Sequence, residues 1–223
     1  MTSALALYAL LDLPQPWCPA TTPIPLVIYG GASATGAFGI KLAQRSNIHP
    51  IIAVAGRGIP LVEELIDRSK GDTVIDYRLG DKAIVLGIRQ ALKSAGLGDD
   101  TPLLHAYDTA CVGSTFINIS QAMGSGGKIA LVNPEVDTSQ IPEHIHRAMT
   151  NAGEVHGEDP SRRDFGHVYF RYFAEGLAEG WLSGHPVHIV PGGLDGLQLA
   201  LSDLKEGKAS AVKYVVRIGD TQT

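Results

Sequence analysis

From residue 24 onward, short β-branched runs alternate with longer patterns of helical period, and no other feature of the chain constrains its fold as strongly. The runs are IPLVIYG (24–30), PIIAVAG (50–56), DTVIDY (72–77), PLLHAYD (102–108) and GGKIALVN (126–133). IPLVIYG is a continuous apolar run of the kind a central parallel strand needs, because helices cover both sheet faces. Between them, TGAFGIKLAQRSN (35–47) reads as a helix. Leu61, Val62, Leu65 and Ile66 form an apolar stripe opposite Glu63, Glu64, Asp67 and Arg68, a second helix lying on a sheet. Asp81 is placed to cap a third, with Ile84, Val85, Ile88 and Leu92 facing inward, and a fourth lies near residues 112–123. The alternation predicts an α/β fold, a doubly wound parallel sheet of Rossmann-like type with right-handed crossovers.

The flanks read differently. ALALYALLDL suggests an amphipathic helix ending at Pro14, and PQPWCPATTPIP (14–25) an extended proline-rich connector. The opening lacks a basic start and contains Asp12, which argues against a signal peptide or membrane span. After residue 163, a helical stretch (164–184) precedes a strand (185–193). A helix with Leu194, Leu197, Leu201 and Leu204 on one face and a closing strand (210–218) end the chain. With a net charge of −5, no basic face points to nucleic acid. Two cysteines are too few for a disulfide framework and fit a reducing, cytoplasmic setting.

The first βα turn, YGGASATGAFG, is where chemistry is expected. Glycine serves where backbone must approach a pyrophosphate or adopt positive φ, and the following helix points its positive end at the anion. Gly30, Gly31 and Gly36 occupy the turn, Ser33 and Thr35 add hydroxyl donors, and Gly39 would allow close helix–strand packing. The spacing is not G-x-G-x-x-G, so a tight turn without ligand is the competing reading; the strand–turn–helix context supports the phosphate. Where an NAD site carries Asp or Glu after the second strand, this chain has Arg57. A guanidinium there favours a 2′-phosphate, hence NADP(H), against the alternative of a solvated surface arginine.

Other chemistries fail on residue type. GSGGKI (124–129) has Ile129 where a P-loop needs Ser or Thr. No tyrosine is followed four residues later by lysine: Tyr77 meets Asp81, Tyr107 meets Cys111, Tyr169 meets Phe173. GASAT ends in Thr35 where a nucleophile elbow needs glycine. His144 and His146, at i,i+2, would face apart on a helix, so no metal site is expected.

VIYGGASATGAFGIKLAQ, KGDTVIDYR, HAYDT, GGKIALVN and the end from HPVHIVPGG to KYVVRI together resemble the medium-chain dehydrogenase/reductase superfamily. The likeness is to its zinc-independent fungal branch of trans-acting enoyl reductases and quinone-oxidoreductase-like proteins. The resemblance implies NADPH-dependent hydride transfer to an activated double bond or carbonyl, of a quinone-like small molecule or a small-molecule or carrier-bound enoyl substrate. It also implies a polyketide synthase partner or a homodimer, and a place in fungal secondary metabolism. By position, it implies that Ser33, Ala34, Thr35 and Gly36 hold the pyrophosphate and that Gly56 and Arg57 lie near the 2′-phosphate. Tyr77 would pack by the adenine ribose, Leu131 and Val132 border the nicotinamide, and Ala209 and Ser210 close over the cofactor. Tyr77 as a structural aromatic and Leu131 and Val132 as core packing are the plainer alternatives. Asp108 would orient the loop after it, with no chemistry assigned.

The family normally carries a large N-terminal barrel-like substrate domain, and the resemblance implies that most of it lies outside these residues. It divides the chain into a leading helix and connector (1–23), a dinucleotide-binding domain (24–182) and a strand–helix–strand unit (183–223) that normally packs toward the substrate domain. An exposed apolar surface is expected on that last unit. No catalytic side chain is identified, and a non-catalytic nucleotide-binding or partner-binding module stands as the alternative function.

Overall fold

The computed structural model describes residues 1–97 and 101–221. Its centre is a six-stranded sheet in the order β3-β2-β1-β4-β5-β6. The strands are β1 (Leu26–Tyr29), β2 (Ile51–Ala55), β3 (Thr73–Asp76), β4 (Leu103–Asp108), β5 (Met123–Leu131) and β6 (His146–Met149). Every pairing is parallel; Val27, for example, sits between Ile52 of β2 and Ala106 of β4.

Alternation along β1 explains the two-sided cover. Leu26 and Ile28 join a core with Ile40 and Leu42 of α2 (Ala34–Arg45), Val62 of α3 (Ile59–Leu65) and Tyr169 of α6 (Pro160–Glu179). Val27 and Tyr29 enter a second core with Ile84 and Ile88 of α4 (Asp81–Ser94) and Phe116 and Ile119 of α5 (Thr115–Ala122). Successive side chains of a strand point to opposite faces, so a central strand must be apolar at every position. The doubly wound architecture read from the sequence is the one observed.

The leading segment is helical over α1 (Thr2–Ala4) and a π-helical continuation, Leu5–Leu10, so it stops short of Pro14. It is not amphipathic in place: Ser3 through Tyr8 are all buried. Tyr8 explains why. Its ring stacks on Tyr169 at 5.3 Å, and its hydroxyl lies 2.9 Å from both the Leu42 carbonyl and Ser46 Oγ. The connector turns at Gln15–Cys18, and Trp17 packs on Tyr169 and Tyr172.

Three local expectations are corrected. Helix α4 is preceded by Gly80 and has no side-chain cap; Asp81 Oδ1 instead accepts from Ser114 Oγ at 2.7 Å and Asn118 Nδ2 at 2.8 Å, tying α4 to α5. Helix α3 ends at Leu65, and Ile66 is extended yet still buried. His146 begins edge strand β6 rather than lying on a helix; the strand is short, only one edge is paired, and the exposed His146 and Arg147 give it no apolar run. No group of three metal-binding side chains occurs among the described residues.

The C-terminal strands stand apart. β7 (Val187–Val190) and β8 (Lys213–Val216) pair in parallel as their own two-stranded sheet, joined through α7 (Leu197–Lys205). Leu194, Leu197, Leu201 and Leu204 are 46, 45, 60 and 49% exposed, so the expected apolar surface is present. Among the described residues, no helix is long and apolar enough to cross a membrane.

Candidate functional site

The strand order reverses between β1 and β4, and the crevice outside their carboxyl ends is where such sheets receive ligands. Gly30, at φ +78°, turns the chain out of β1; the Gly30 and Gly31 amides donate to the Val54 carbonyl at 2.9 and 3.0 Å. Ser33 is the N-cap of α2, its Oγ accepting from the Gly36 amide at 2.9 Å. Its hydroxyl is therefore a cap first, not the free donor its sequence position suggests. The Ala34 and Thr35 amides have no hydrogen-bond partner among the described residues. They stand at the positive end of a twelve-residue helix, beside the crevice.

The glycines divide the work. A Cβ at Gly36 would run into the Gly30 carbonyl oxygen and lie 2.9 Å from Gly30 C and Gly31 Cα, so Gly36 lets helix and turn meet. Gly39 packs its open face on the Tyr107 ring, where a Cβ would sit at 3.3 Å, as expected for helix–strand contact.

The second crossover lies alongside. The Tyr77 ring covers Gly56 so closely that a Cβ there would be 2.5 Å from ring Cε1, while 46% of the residue remains exposed. A Cβ on Gly58 would collide with the Ala32 methyl and approach Ala211 Cβ at 3.1 Å and Ser210 Oγ at 3.7 Å. The turn after β2 is thus sandwiched between the glycine turn and the segment that carries Ala209 and Ser210. Arg57 is exposed, and its guanidinium donates to the Gly207 carbonyl. No carboxylate pairs with Arg57 among the described residues, whereas Arg78 is held by Asp76 at 2.6 Å.

The sequence-chosen residues therefore converge, with two qualifications. The Leu131 side chain is wholly buried in the core, and its carbonyl accepts from the Thr150 amide at 2.8 Å. Val132 is half-buried at the same edge, its amide 3.3 Å from Cys111 Sγ. Asp108 is fully buried: Oδ1 accepts from the Ala110 and Cys111 amides, both at 2.9 Å, and Oδ2 from Thr115 Oγ1 at 2.5 Å. Burial raises its pKa against the pull of those bonds. With its oxygens occupied, it orients the loop after β4. Tyr29, on the crevice floor, is pushed up to about 12, chiefly by burial and then by Asp108.

Sequence reasoning missed Thr109, Ala32, Gly58, Gly207 and Ala211. Thr109 had a usable signal, since it directly follows β4 at the switch point. Ala32 and Gly58 meet where the first two crossover turns touch, whereas Gly207 and Ala211 reach the site only through the return of the C-terminal segment.

No family model matches the chain. It is 41% identical over 194 residues to the trans-enoyl reductase fsr4 of Gibberella fujikuroi, a match covering 86% of this chain and 55% of that protein. It is 29% identical over 238 residues to the trans-enoyl reductase FSL5 of Gibberella zeae, covering 97% of this chain and 61% of the relative. The chain thus spans little more than half the length of these curated relatives. Among solved structures, the JamJ enoyl reductase in apo form superposes with a TM-score of 0.71 at 15% identity, over 97% of this chain and 60% of that one. Mycobacterial Rv1454c does so with a TM-score of 0.66 at 14% identity, over 97% and 62%. At those identities the structural likeness speaks for the fold, and the sequence relatives speak for the lineage. Over the part it spans, the chain belongs to the medium-chain dehydrogenase/reductase family, in the branch of the fungal trans-acting enoyl reductases.

Proposed function

We propose that this chain forms the NADPH-binding half of an oxidoreductase of the enoyl-reductase type. The observation that carries the reading is the convergence, at the β1/β4 crevice, of unpartnered helix amides with Arg57, Tyr77 and the Ser210 segment. The residues suit a dinucleotide phosphate: donors from Ala34 and Thr35 for the pyrophosphate, and a cation free of carboxylates for the 2′-phosphate. Tyr77 and Gly56 flank the adenosine end, Ala209 and Ser210 cover it, and Leu131 and Val132 border the nicotinamide end through backbone and a half-buried side chain. A bound nicotinamide supplies a hydride at C4. The chain's own residues position and neutralise, which is the protein's share in cofactor chemistry. The Rv1454c structure is of a complex with NADPH, which supports that choice of coenzyme.

The acceptor we assign is an activated C=C of a carrier-bound enoyl thioester, presented by a polyketide synthase in fungal secondary metabolism. The trans-enoyl reductase names of the relatives support this. Residues 24–182 make up the dinucleotide-binding domain behind the leading segment 1–23, and 183–223 the unit that packs toward a substrate domain. The free thiols of Cys18 and Cys111 suit a cytoplasmic setting.

Calorimetric titration with NADPH and NADH, followed by turnover of an α,β-unsaturated thioester, tests the proposal. Binding with preference for NADPH, and thioester reduction once the chain is joined to the remaining length of a relative, is the expected result. Binding without reduction in that joined form would leave a nucleotide-binding module. No binding of either coenzyme by folded protein would end the oxidoreductase reading.

A further inference from the structure

A hydroxyl that no sequence motif singles out joins the two strands at the crevice. Thr109 Oγ1 lies 2.8 Å from the Tyr29 carbonyl, 3.1 Å from the Gly30 carbonyl and 3.0 Å from Ser33 Oγ. Its amide also donates to the Tyr29 carbonyl at 2.9 Å. Gly30 is fitted to it: a Cβ there would come within 2.5 Å of the same oxygen. Gly30 is thus glycine for two reasons, its positive φ and the room that Thr109 occupies.

The bonding has a direction. Carbonyls only accept, so the Thr109 hydroxyl donates toward the end of β1, which leaves its lone pairs to accept from Ser33 Oγ–H. Ser33 Oγ in turn accepts from the Gly36 amide at 2.9 Å. The chain of bonds runs from the first turn of α2, through Ser33 and Thr109, to the β1 backbone. It uses the Ser33 proton inward and leaves the Ala34 and Thr35 amides as the outward donors. Ser33 and Thr109 are 76 residues apart, so only the adjacency of β1 and β4 makes the link possible.

We propose that Thr109 is a positioning residue of the dinucleotide site, which sets the Gly30–Ser33 turn and so aims the Ala34 and Thr35 amides at the pyrophosphate. The inference rests on the proposed function and deepens it. The pyrophosphate is common to NADPH and NADH but absent from 2′-AMP, and this separates positioning from general support of the fold.

The test is calorimetric titration of the chain with NADPH, NADH and 2′-AMP. Thr109→Val and Thr109→Ala should weaken both coenzymes by the same factor, about tenfold, as expected for a lost hydrogen bond between positioned groups. The same variants should hold 2′-AMP to within about twofold, and Thr109→Ser should restore coenzyme affinity. Should neither variant fold, Ser33→Ala removes the same hydroxyl pair from the turn side and should show the same pattern. Unchanged coenzyme affinity, parallel loss of 2′-AMP, or a serine variant no better than valine overturns the inference alone. A wild-type chain that binds neither coenzyme overturns the proposed function and the inference with it.

Discussion

Replacing Gly36 by alanine adds one methyl group at the tightest point of the crevice. The new Cβ would overlap the Gly30 carbonyl oxygen and approach Gly30 C and Gly31 Cα at 2.9 Å. All three are backbone atoms, so the strain cannot be relieved by a rotamer change, and the turn or the helix must shift. Helix propensity opposes the damage, since alanine is better than glycine inside a helix by about 1 kcal/mol. Overpacking costs about 1–3 kcal/mol. A displaced Gly36 amide also loses its 2.9 Å bond to the Ser33 cap, and a lost cap costs about 0.5–2 kcal/mol. The net is a destabilisation of about 1–3 kcal/mol, which lowers Tm by about 3–10 °C in a chain of this size. The displaced turn should also weaken NADPH and NADH alike, by about tenfold or more. Gly39→Ala is the control three residues on: the nearest atoms to its Cβ would be Tyr107 ring atoms at 3.3 Å and a methyl of Ile28 at 3.6 Å, all in side chains. It should alter Tm while leaving both affinities intact. Scanning calorimetry and titration of the two variants read both effects. A Gly36→Ala protein that matches wild type in Tm and in affinity would refute the packing argument for this glycine.

Arg57→Ala should weaken NADPH by about ten- to a hundredfold, the range of a charge-assisted contact, with NADH unchanged in parallel titrations; equal weakening would remove Arg57 from the 2′-phosphate. Asp108→Ala strands the Ala110 and Cys111 amides and the Thr115 hydroxyl, and chemical denaturation should show a loss of about 2–4 kcal/mol. Because burial raises the Asp108 pKa, its contribution to stability is complete below the ordinary carboxylate range and is lost as pH rises through the raised value. Thermal melts should therefore favour Asp108→Asn over wild type by a wider margin at neutral than at acid pH, and a margin independent of pH would contradict the sign. Leu197→Asp with Leu201→Asp, at positions 45 and 60% exposed, should reduce dye binding and self-association in sedimentation with little change in Tm; a sharp fall in Tm would mean the face is supported within the chain.

Period and residue type determined the sheet. Strands β1 and β2 are apolar and buried at every position because two helical layers cover them, and that requirement is written into IPLVIYG and PIIAVAG. The glycine turn was legible because its backbone demands fall within one short stretch, from Gly30 to Gly36. Strand β6 escaped because four residues at a sheet edge, with His146 and Arg147 exposed, carry no such pattern, and Asp81 misled because a capping residue type found partners in Ser114 and Asn118. Only the tertiary structure decided which groups meet at the crevice. Thr109 reaches Ser33 across 76 residues, and Gly207 reaches Arg57 across 150. Contacts of that separation depend on strand order and on where the chain returns, and neither leaves a local trace in side-chain chemistry.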